Sequence, residues 1–227
     1  MHSMAIKSLL ITILISVITT NTHAESPRYS WQVSELARSA VEKIRLRNDQ
    51  DRLLKTISAK QMVYLYAAMS SMSEASEIQA ELLIVDGKLA NAFAATTEEN
   101  HHFIAINFAL LDIVATDMDM AAALIGHELA HLKLNHGEIN KKNITLNHGK
   151  DFSAANTRYS RDNERDADYL GAIWAVEAGY DADGAVALQE ELYKLSKNIN
   201  ASSFNVSHPS SIERITVLKS LARRLQK

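Results

Sequence analysis

Residues 121–131 of this 227-residue chain read AAALIGHELAH, so His127, Glu128 and His131 form the pattern His-Glu-x-x-His. Residues four apart on an α-helix are separated by about 40° around its axis and about 6 Å along it, so both imidazoles project from one face. They can share a metal ion. Glu128 is rotated by about 100° from His127, which places its carboxylate to reach a water molecule beside the ion. The stretch therefore predicts a metal-binding helix with a general base.

Chance is the alternative explanation of a pattern this short. The surrounding residues argue against chance, because they make the helix apolar on nearly every side: Ala121, Ala122, Leu124, Ile125, Leu129 and Leu132. A buried helix rarely carries three ionisable groups without a partner for them. We therefore expect further ligands elsewhere in the chain.

A catalytic zinc ion usually takes three protein ligands and keeps one position open. One established pattern places the third ligand six residues after the second histidine, where this chain has Gly137. His136 is one residue out of register. We interpret His136, like His148, as a loop residue.

A second helix, expected to begin near Asn163, offers a better third ligand. Glu164 and Asp168 lie four apart on one face of it. Glu164 is predicted to bind the ion, and Asp168 to accept the N–H of a ligand histidine and so fix its tautomer. The alternative is a solvated acidic helix start that the helix dipole stabilises. The same face continues in small residues that would let this helix approach Gly126 and Ala130 closely: Ala167, Gly171 and Ala175.

Apolar spacing predicts helices near both ends of the chain and a short strand region between them. A stripe from Val33 to Ile44 predicts a helix. Apolar runs at 78–85 and 103–106 predict strands, with 91–94 as a further strand between them. Thr116 and Asp119 form a capping box that predicts the start of the motif helix, with His136-Gly137 at its end. The predicted class is α+β, mostly helical, with a small antiparallel or mixed sheet.

The composition excludes several classes of protein. The chain has 24 Lys and Arg against 27 Asp and Glu, a formal charge of -3 and no cysteine. Since no basic field attracts phosphates, nucleic acid is not an expected partner. A disulfide scaffold is excluded, and 47% hydrophobic residues are typical of a globular domain.

The first 24 residues predict an export signal. Lys7 gives a positive start, residues 9–18 are mostly apolar, and Thr22-His23-Ala24 has the small residues of a cleavage site. The apolar run is shorter than the roughly 20 residues that span a bilayer. We expect a signal peptide at 1–24 and a single domain at 25–227. The mature chain is expected to be exported, without a transmembrane segment, and periplasmic in a bacterium.

Four stretches together resemble one family of peptidases. They are residues 91–94 (NAFA), 121–137, 160–180 and 207–215 (SHPSSIERI). They are similar to the HtpX-like zinc metallopeptidases, which belong to the gluzincins together with the CaaX-box endoproteases. The resemblance implies a zincin-type metallopeptidase domain that binds one zinc ion per chain and cleaves peptide bonds. It matches the zinc ligands and the catalytic base to four residues here: His127, His131, Glu164 and Glu128.

His208 is a further candidate, just before the last predicted helix. Pro209 fixes the backbone after it, and Ser210 with Glu213 predicts a capping box. The resemblance implies that His208 faces the zinc ion, where it would stabilise the oxyanion or occupy the open position at rest. Arg214 is predicted to hold an acidic partner near the site.

The resemblance also implies substrates. We expect these to be unfolded or misassembled proteins of the cell envelope. The enzyme would then act in protein quality control, either alone or in peripheral association with envelope machinery. An exposed strand at 91–94 would add an extended peptide to the sheet edge. HtpX-type members carry membrane helices, which the sequence after residue 24 does not show, so we expect a minimal catalytic domain. We expect the long polar connection at residues 137–159 to act as a lid. The alternative is a zinc-bound module that binds unfolded clients or assembly intermediates without cutting them.

Overall fold

The computed structural model describes residues 27–88, 90–137, 152–198 and 211–226, of which 152–160 and 198 are described by their backbone alone. The strands are β1 (Ser30–Gln32), β2 (Lys43–Arg47), β3 (Leu53–Ser58), β4 (Glu81–Val85), β5 (Ala92–Thr96) and β6 (His102–Asn107). The helices are α1 (Val33–Leu36), α2 (Ala59–Ser76), α3 (Phe108–Val114), α4 (Met118–Lys133), α5 (Phe152–Glu177), α6 (Asp183–Asn198) and α7 (Ile212–Leu225). The predicted α+β class, mostly helical with a small sheet, is confirmed.

The larger sheet is mixed and has four strands in the order β1-β4-β6-β5. β4 and β6 are parallel, while β1 and β5 run antiparallel to their neighbours. The three strands predicted from apolar runs correspond to β4, β5 and β6. Within the described ranges β5 is an edge strand, and it packs beside α4.

The hydrophobic core lies between the helices and one face of this sheet. Ile84, Ile104 and Ile106 point from the central strands into it and are fully buried. The alternate residues Leu83 and Phe103 form a smaller buried cluster on the other face. Because both faces of β4 and β6 are buried, these two strands read as continuous apolar runs.

The helix predicted from Val33 to Ile44 is wrong. α1 ends at Leu36, and Ile44 belongs to β2, which pairs with β3 in a separate two-stranded sheet. Val41 is 50% exposed although a helical stripe would bury it. Ile44 and Leu46 are buried while the residues between and before them are exposed, which is the period-two pattern of a strand.

The boundaries of the motif helix also differ from prediction. Asp117, rather than Thr116, caps α4, because its carboxylate accepts hydrogen bonds from the backbone N–H groups of Asp119 at 2.9 Å and Met120 at 3.0 Å. The helix ends at Lys133 instead of continuing to His136-Gly137.

α5 begins well before the expected start near Asn163. It starts at Phe152, so residues 152–159 are helical although the sequence assigned them to the lid. The rest of that lid, residues 138–151, lies outside the described residues, as does the predicted signal peptide at 1–24. Among the residues that are described, no helix has both the length and the hydropathy to cross a membrane.

α4 and α5 cross in backbone contact at two glycines. A Cβ atom on Gly171 would lie 2.6 Å from the backbone nitrogen of His127, and one on Gly126 would lie 2.8 Å from the carbonyl oxygen of Gly171. Ala130 and Ala167 are fully buried in the same interface region. The predicted small-residue face and its close approach to α4 are confirmed, and the crossing sets the two motif-bearing helices against each other.

We predict that Gly171→Ala lowers the free energy of unfolding by about 1–3 kcal/mol, as over-packing does elsewhere. The added methyl group meets the backbone of α4, which cannot move aside as a side chain can. Urea unfolding followed by circular dichroism measures the change. Gly137→Ala is the control, because a Cβ there meets nothing within 4 Å. Equal stability of the two variants would contradict the close crossing.

Candidate metal centre

His127 and His131 on α4 converge with Glu164 on α5. The two Nε2 atoms of the histidines are 3.1 Å apart. Glu164 places Oε2 3.4 Å from Nε2 of His127 and Oε1 3.4 Å from Nε2 of His131. One candidate ligand atom from each residue lies within 4.8 Å of the other two. Two imidazole nitrogens and one carboxylate form the donor set of a catalytic zinc site, so the residues present fit that ion.

The three candidate ligands are buried to different degrees. His127 is 6% exposed and Glu164 is 4% exposed. The side chain of His131 is 13% exposed, the largest value of the three.

Asp168 lies one turn after Glu164 and faces the far side of His127. Its Oδ1 atom is 3.0 Å from Nδ1 of His127. Burial opposes a positive charge on His127, but hydrogen bonds to Asp168 and Glu164 outweigh it and raise the pKa of His127 to about 10. The carboxylates therefore stabilise positive charge at this point, which is the electrostatic requirement of a cation site.

Arg214 enters the centre from α7 and ties the two carboxylates together. Its Nη1 lies 2.7 Å from Oε2 of Glu164, and its Nε and Nη2 lie 2.7 Å from the two carboxylate oxygens of Asp168. Burial opposes ionisation of Asp168, yet hydrogen bonds from Arg214 and His127 lower its pKa. The predicted acidic partner of Arg214 is thus a pair of residues.

The start of α7 differs from prediction. Ser211 caps it and accepts a hydrogen bond from the N–H of Arg214 at 3.1 Å, whereas the predicted cap, Ser210, lies outside the described residues.

The charges around this point match a divalent ion. Among the side chains that the structure describes, three buried carboxylates, those of Glu128, Glu164 and Asp168, act on one buried guanidinium, that of Arg214. Three negative charges and one positive charge leave a balance of -2 when the histidines are neutral. Buried charge is expensive unless it is compensated, so a doubly charged cation would balance these described groups.

His136 is a residue of the centre that the sequence analysis missed. Its spacing favours a loop residue, but His136 is 5% exposed and its Nδ1 lies 2.8 Å from Nδ1 of His131. The backbone of Asn135 has φ of 53°, a left-handed conformation that asparagine tolerates and that turns the chain after the helix end. The asparagine at position 135, just after the last helical turn, is the sequence feature that could have indicated this turn of the chain. His148 and His208 lie outside the described residues.

The chain is similar to known proteases over most of this region. The model of peptidase family M48 matches residues 59–148 and 150–222. A protease HtpX homolog from a Nostoc species is 30% identical over 132 residues, which is 54% of this chain and 45% of the relative. A second protease HtpX homolog, from Trichormus variabilis, is 30% identical over 130 residues, 53% of this chain and 44% of the relative. The matched stretch thus spans less than half the length of either relative.

We predict that Arg214→Met lowers the free energy of unfolding by about 3–5 kcal/mol, measured in the presence of a chelator, because the substitution removes the guanidinium that compensates the buried charges of Glu164 and Asp168. Arg224→Met on the same helix is the matched control, since Arg224 is exposed. It should change the stability by no more than about 0.5 kcal/mol. A loss below about 1 kcal/mol in Arg214→Met would contradict the role of Arg214 in holding the two carboxylates.

Proposed function

Because the chain belongs to peptidase family M48, we propose that it is a zinc-dependent endopeptidase whose ion is held by His127, His131 and Glu164. The convergence of these three residues from two helices is the observation that carries the proposal. Three ligands and an open position are typical of catalytic zinc, whereas structural zinc more often has four protein ligands. The family supports proteolysis; zinc and the residue roles are our assignment.

Glu128 is the proposed general base. When bound, zinc would supply Lewis-acid chemistry, polarising the scissile carbonyl and acidifying water. Glu128 is 1% exposed and lies on α4 between the two histidines. Its carboxylate takes a proton from the attacking water and delivers it to the leaving amine. Burial of the carboxylate keeps bulk water from competing for that proton.

Asp168 and Arg214 are proposed to orient the centre. Asp168 accepts the Nδ1–H of His127, which directs the Nε2 lone pair of that ring toward the ligand point. Arg214 fixes the carboxylates of Glu164 and Asp168 against each other through three contacts of 2.7 Å. Neither residue needs to touch the substrate.

His208 is proposed as a second catalytic group. Its assignment rests on the resemblance of residues 207–215 to the HtpX-like pattern and on its place before Pro209. A histidine facing the ion would stabilise the oxyanion during the reaction or fill the open position at rest. Reduced turnover with retained zinc in His208→Phe would support this role.

β5 is the proposed docking strand for the substrate. The backbone N–H of Asn107 bonds to the carbonyl of Asn91, and that of Thr97 to the carbonyl of His101. Since bonded and non-bonded pairs alternate in an antiparallel ladder, the N–H of Ala94 points away from β6. An extended peptide pairing at this edge would be recognised mainly by its backbone, which favours weak sequence selectivity.

Unfolded polypeptides suit this mode of recognition. We propose that the substrates are unfolded or misassembled cell-envelope proteins, and that the protein acts after export, in the periplasm of a bacterium. The predicted signal peptide at 1–24 and the HtpX-like resemblance support this assignment. A catalytically silent zinc-bound module that binds such clients is the competing function.

We predict that Glu128→Gln retains one zinc ion per chain and lowers the rate of casein cleavage by about 10²–10⁴-fold, because the amide cannot accept the proton of the water. Plasma mass spectrometry gives the zinc content, and release of labelled peptide gives the rate.

Glu177→Gln is the matched control for this substitution, since Glu177 is exposed near the end of α5. It should cleave casein at the wild-type rate. Cleavage by Glu128→Gln at the same rate would remove Glu128 from the mechanism. Zinc in wild type without any cleavage of casein would favour the silent binding module.

A second prediction concerns the edge strand. Ala94→Pro removes one outward N–H, and proline is tolerated at a sheet edge. The loss of one main-chain hydrogen bond should raise the KM for casein by about threefold to tenfold, with zinc content unchanged. Ala94→Gly keeps the N–H and serves as the control. An unchanged KM in a folded Ala94→Pro variant would argue against peptide pairing at β5.

A further inference from the structure

Both nitrogens of the His131 ring are engaged. Its Nε2 faces the ligand point, 3.1 Å from Nε2 of His127 and 3.4 Å from Oε1 of Glu164. Its Nδ1 points the other way and lies 2.8 Å from Nδ1 of His136. The rings of His131 and His136 have centroids 5.0 Å apart and planes at 71°, which is an edge-on arrangement. The ring of His131 is therefore held between the centre and His136.

His127 offers a direct comparison. Its Nδ1 lies 3.0 Å from a carboxylate oxygen of Asp168, the usual type of partner for a metal-binding histidine. In His131 the corresponding partner is a second imidazole. The two candidate ligands thus differ in the charge of the group behind them, a carboxylate for His127 and an imidazole for His131.

The hydrogen bond between the two Nδ1 atoms has one allowed direction when His131 binds a metal. Binding through Nε2 requires a lone pair there, so a neutral His131 carries its proton on Nδ1. His131 is then the donor, and Nδ1 of His136 is the acceptor. His136 in turn carries its proton on Nε2.

We propose that His136 is a positioning residue, which accepts the Nδ1–H of His131 and thereby fixes the tautomer and the direction of that metal ligand. The inference rests on the proposed zinc site and deepens it. The contact between His131 and His136 depends on the local backbone, because the left-handed conformation of Asn135 returns the chain toward the last turn of α4.

The neutral charge of the partner is part of the role. Among the described residues, the three carboxylates and Arg214 leave a balance of -2, which a divalent ion matches. A fourth carboxylate behind His131 would leave the buried centre with an excess negative charge, which is costly. An imidazole supplies the acceptor without adding charge.

Two substitutions separate the hydrogen bond from the packing of the ring. His136→Phe keeps a planar ring of similar size but offers no acceptor to His131. His136→Asn is smaller and presents an amide oxygen near the place of Nδ1. The full-length chain is titrated with zinc against a chromophoric chelator, and cobalt is then substituted to record its absorption bands, which report the geometry of the ligands. Circular dichroism checks that each variant is folded.

We expect His136→Phe to bind zinc about 10–100-fold more weakly than wild type and to show altered cobalt bands, as loss of such a partner does elsewhere. His136→Asn should restore most of the affinity and the wild-type bands. Equal affinity in wild type and His136→Phe would overturn the positioning role while leaving the zinc site in place. Equal weakening in both variants would overturn it too, because packing alone would then explain the effect. If wild type binds zinc no better than His127→Ala does, the proposed function fails together with the inference.

Discussion

The backbones of α4 and α5 touch where Gly126 faces Gly171, and the candidate centre depends on that contact. The separation of the helix axes decides whether Glu164 and Asp168 reach His127. A side chain at either glycine would push the helices apart and lengthen contacts that are now 3.0–3.4 Å. A packing constraint between two small residues therefore controls the geometry of polar groups one to two turns away.

Electrostatics then explains why these groups stay together once packing has placed them. Carboxylates as buried as Glu164 and Asp168 would not remain ionised alone, and Arg214 compensates them through short contacts. The remaining negative balance favours a cation at the point where the two Nε2 atoms meet. The pKa of His127 is raised for the same reason, since the carboxylates stabilise a proton on this ring as they would stabilise a metal ion beside it. α7 thus contributes to the centre through a single side chain.

Much of the centre was predictable because most of its residues are paired within single helices. The four-residue spacings of His127 with His131 and of Glu164 with Asp168 place each pair on one helix face, and the small residues around Gly171 indicate which face packs. His136 was not predictable from spacing, because its position depends on one backbone angle at Asn135 after the helix has ended. The helix expected up to Ile44 failed since its apolar residues fit both a helix and a short helix followed by a strand. The early start of α5 was missed because the polar, Asn-rich character of residues 137–159 favoured a loop, although Phe152, Ala155 and Tyr159 follow helical spacing.

We propose that α4 and α5 bind one metal ion through His127, His131 and Glu164. Anomalous diffraction at the zinc absorption edge, from crystals of the zinc-loaded protein, tests it most directly. We expect one strong peak about 2.0–2.2 Å from Nε2 of His127, Nε2 of His131 and a carboxylate oxygen of Glu164. A strong peak at other side chains, with none at this point, would contradict it.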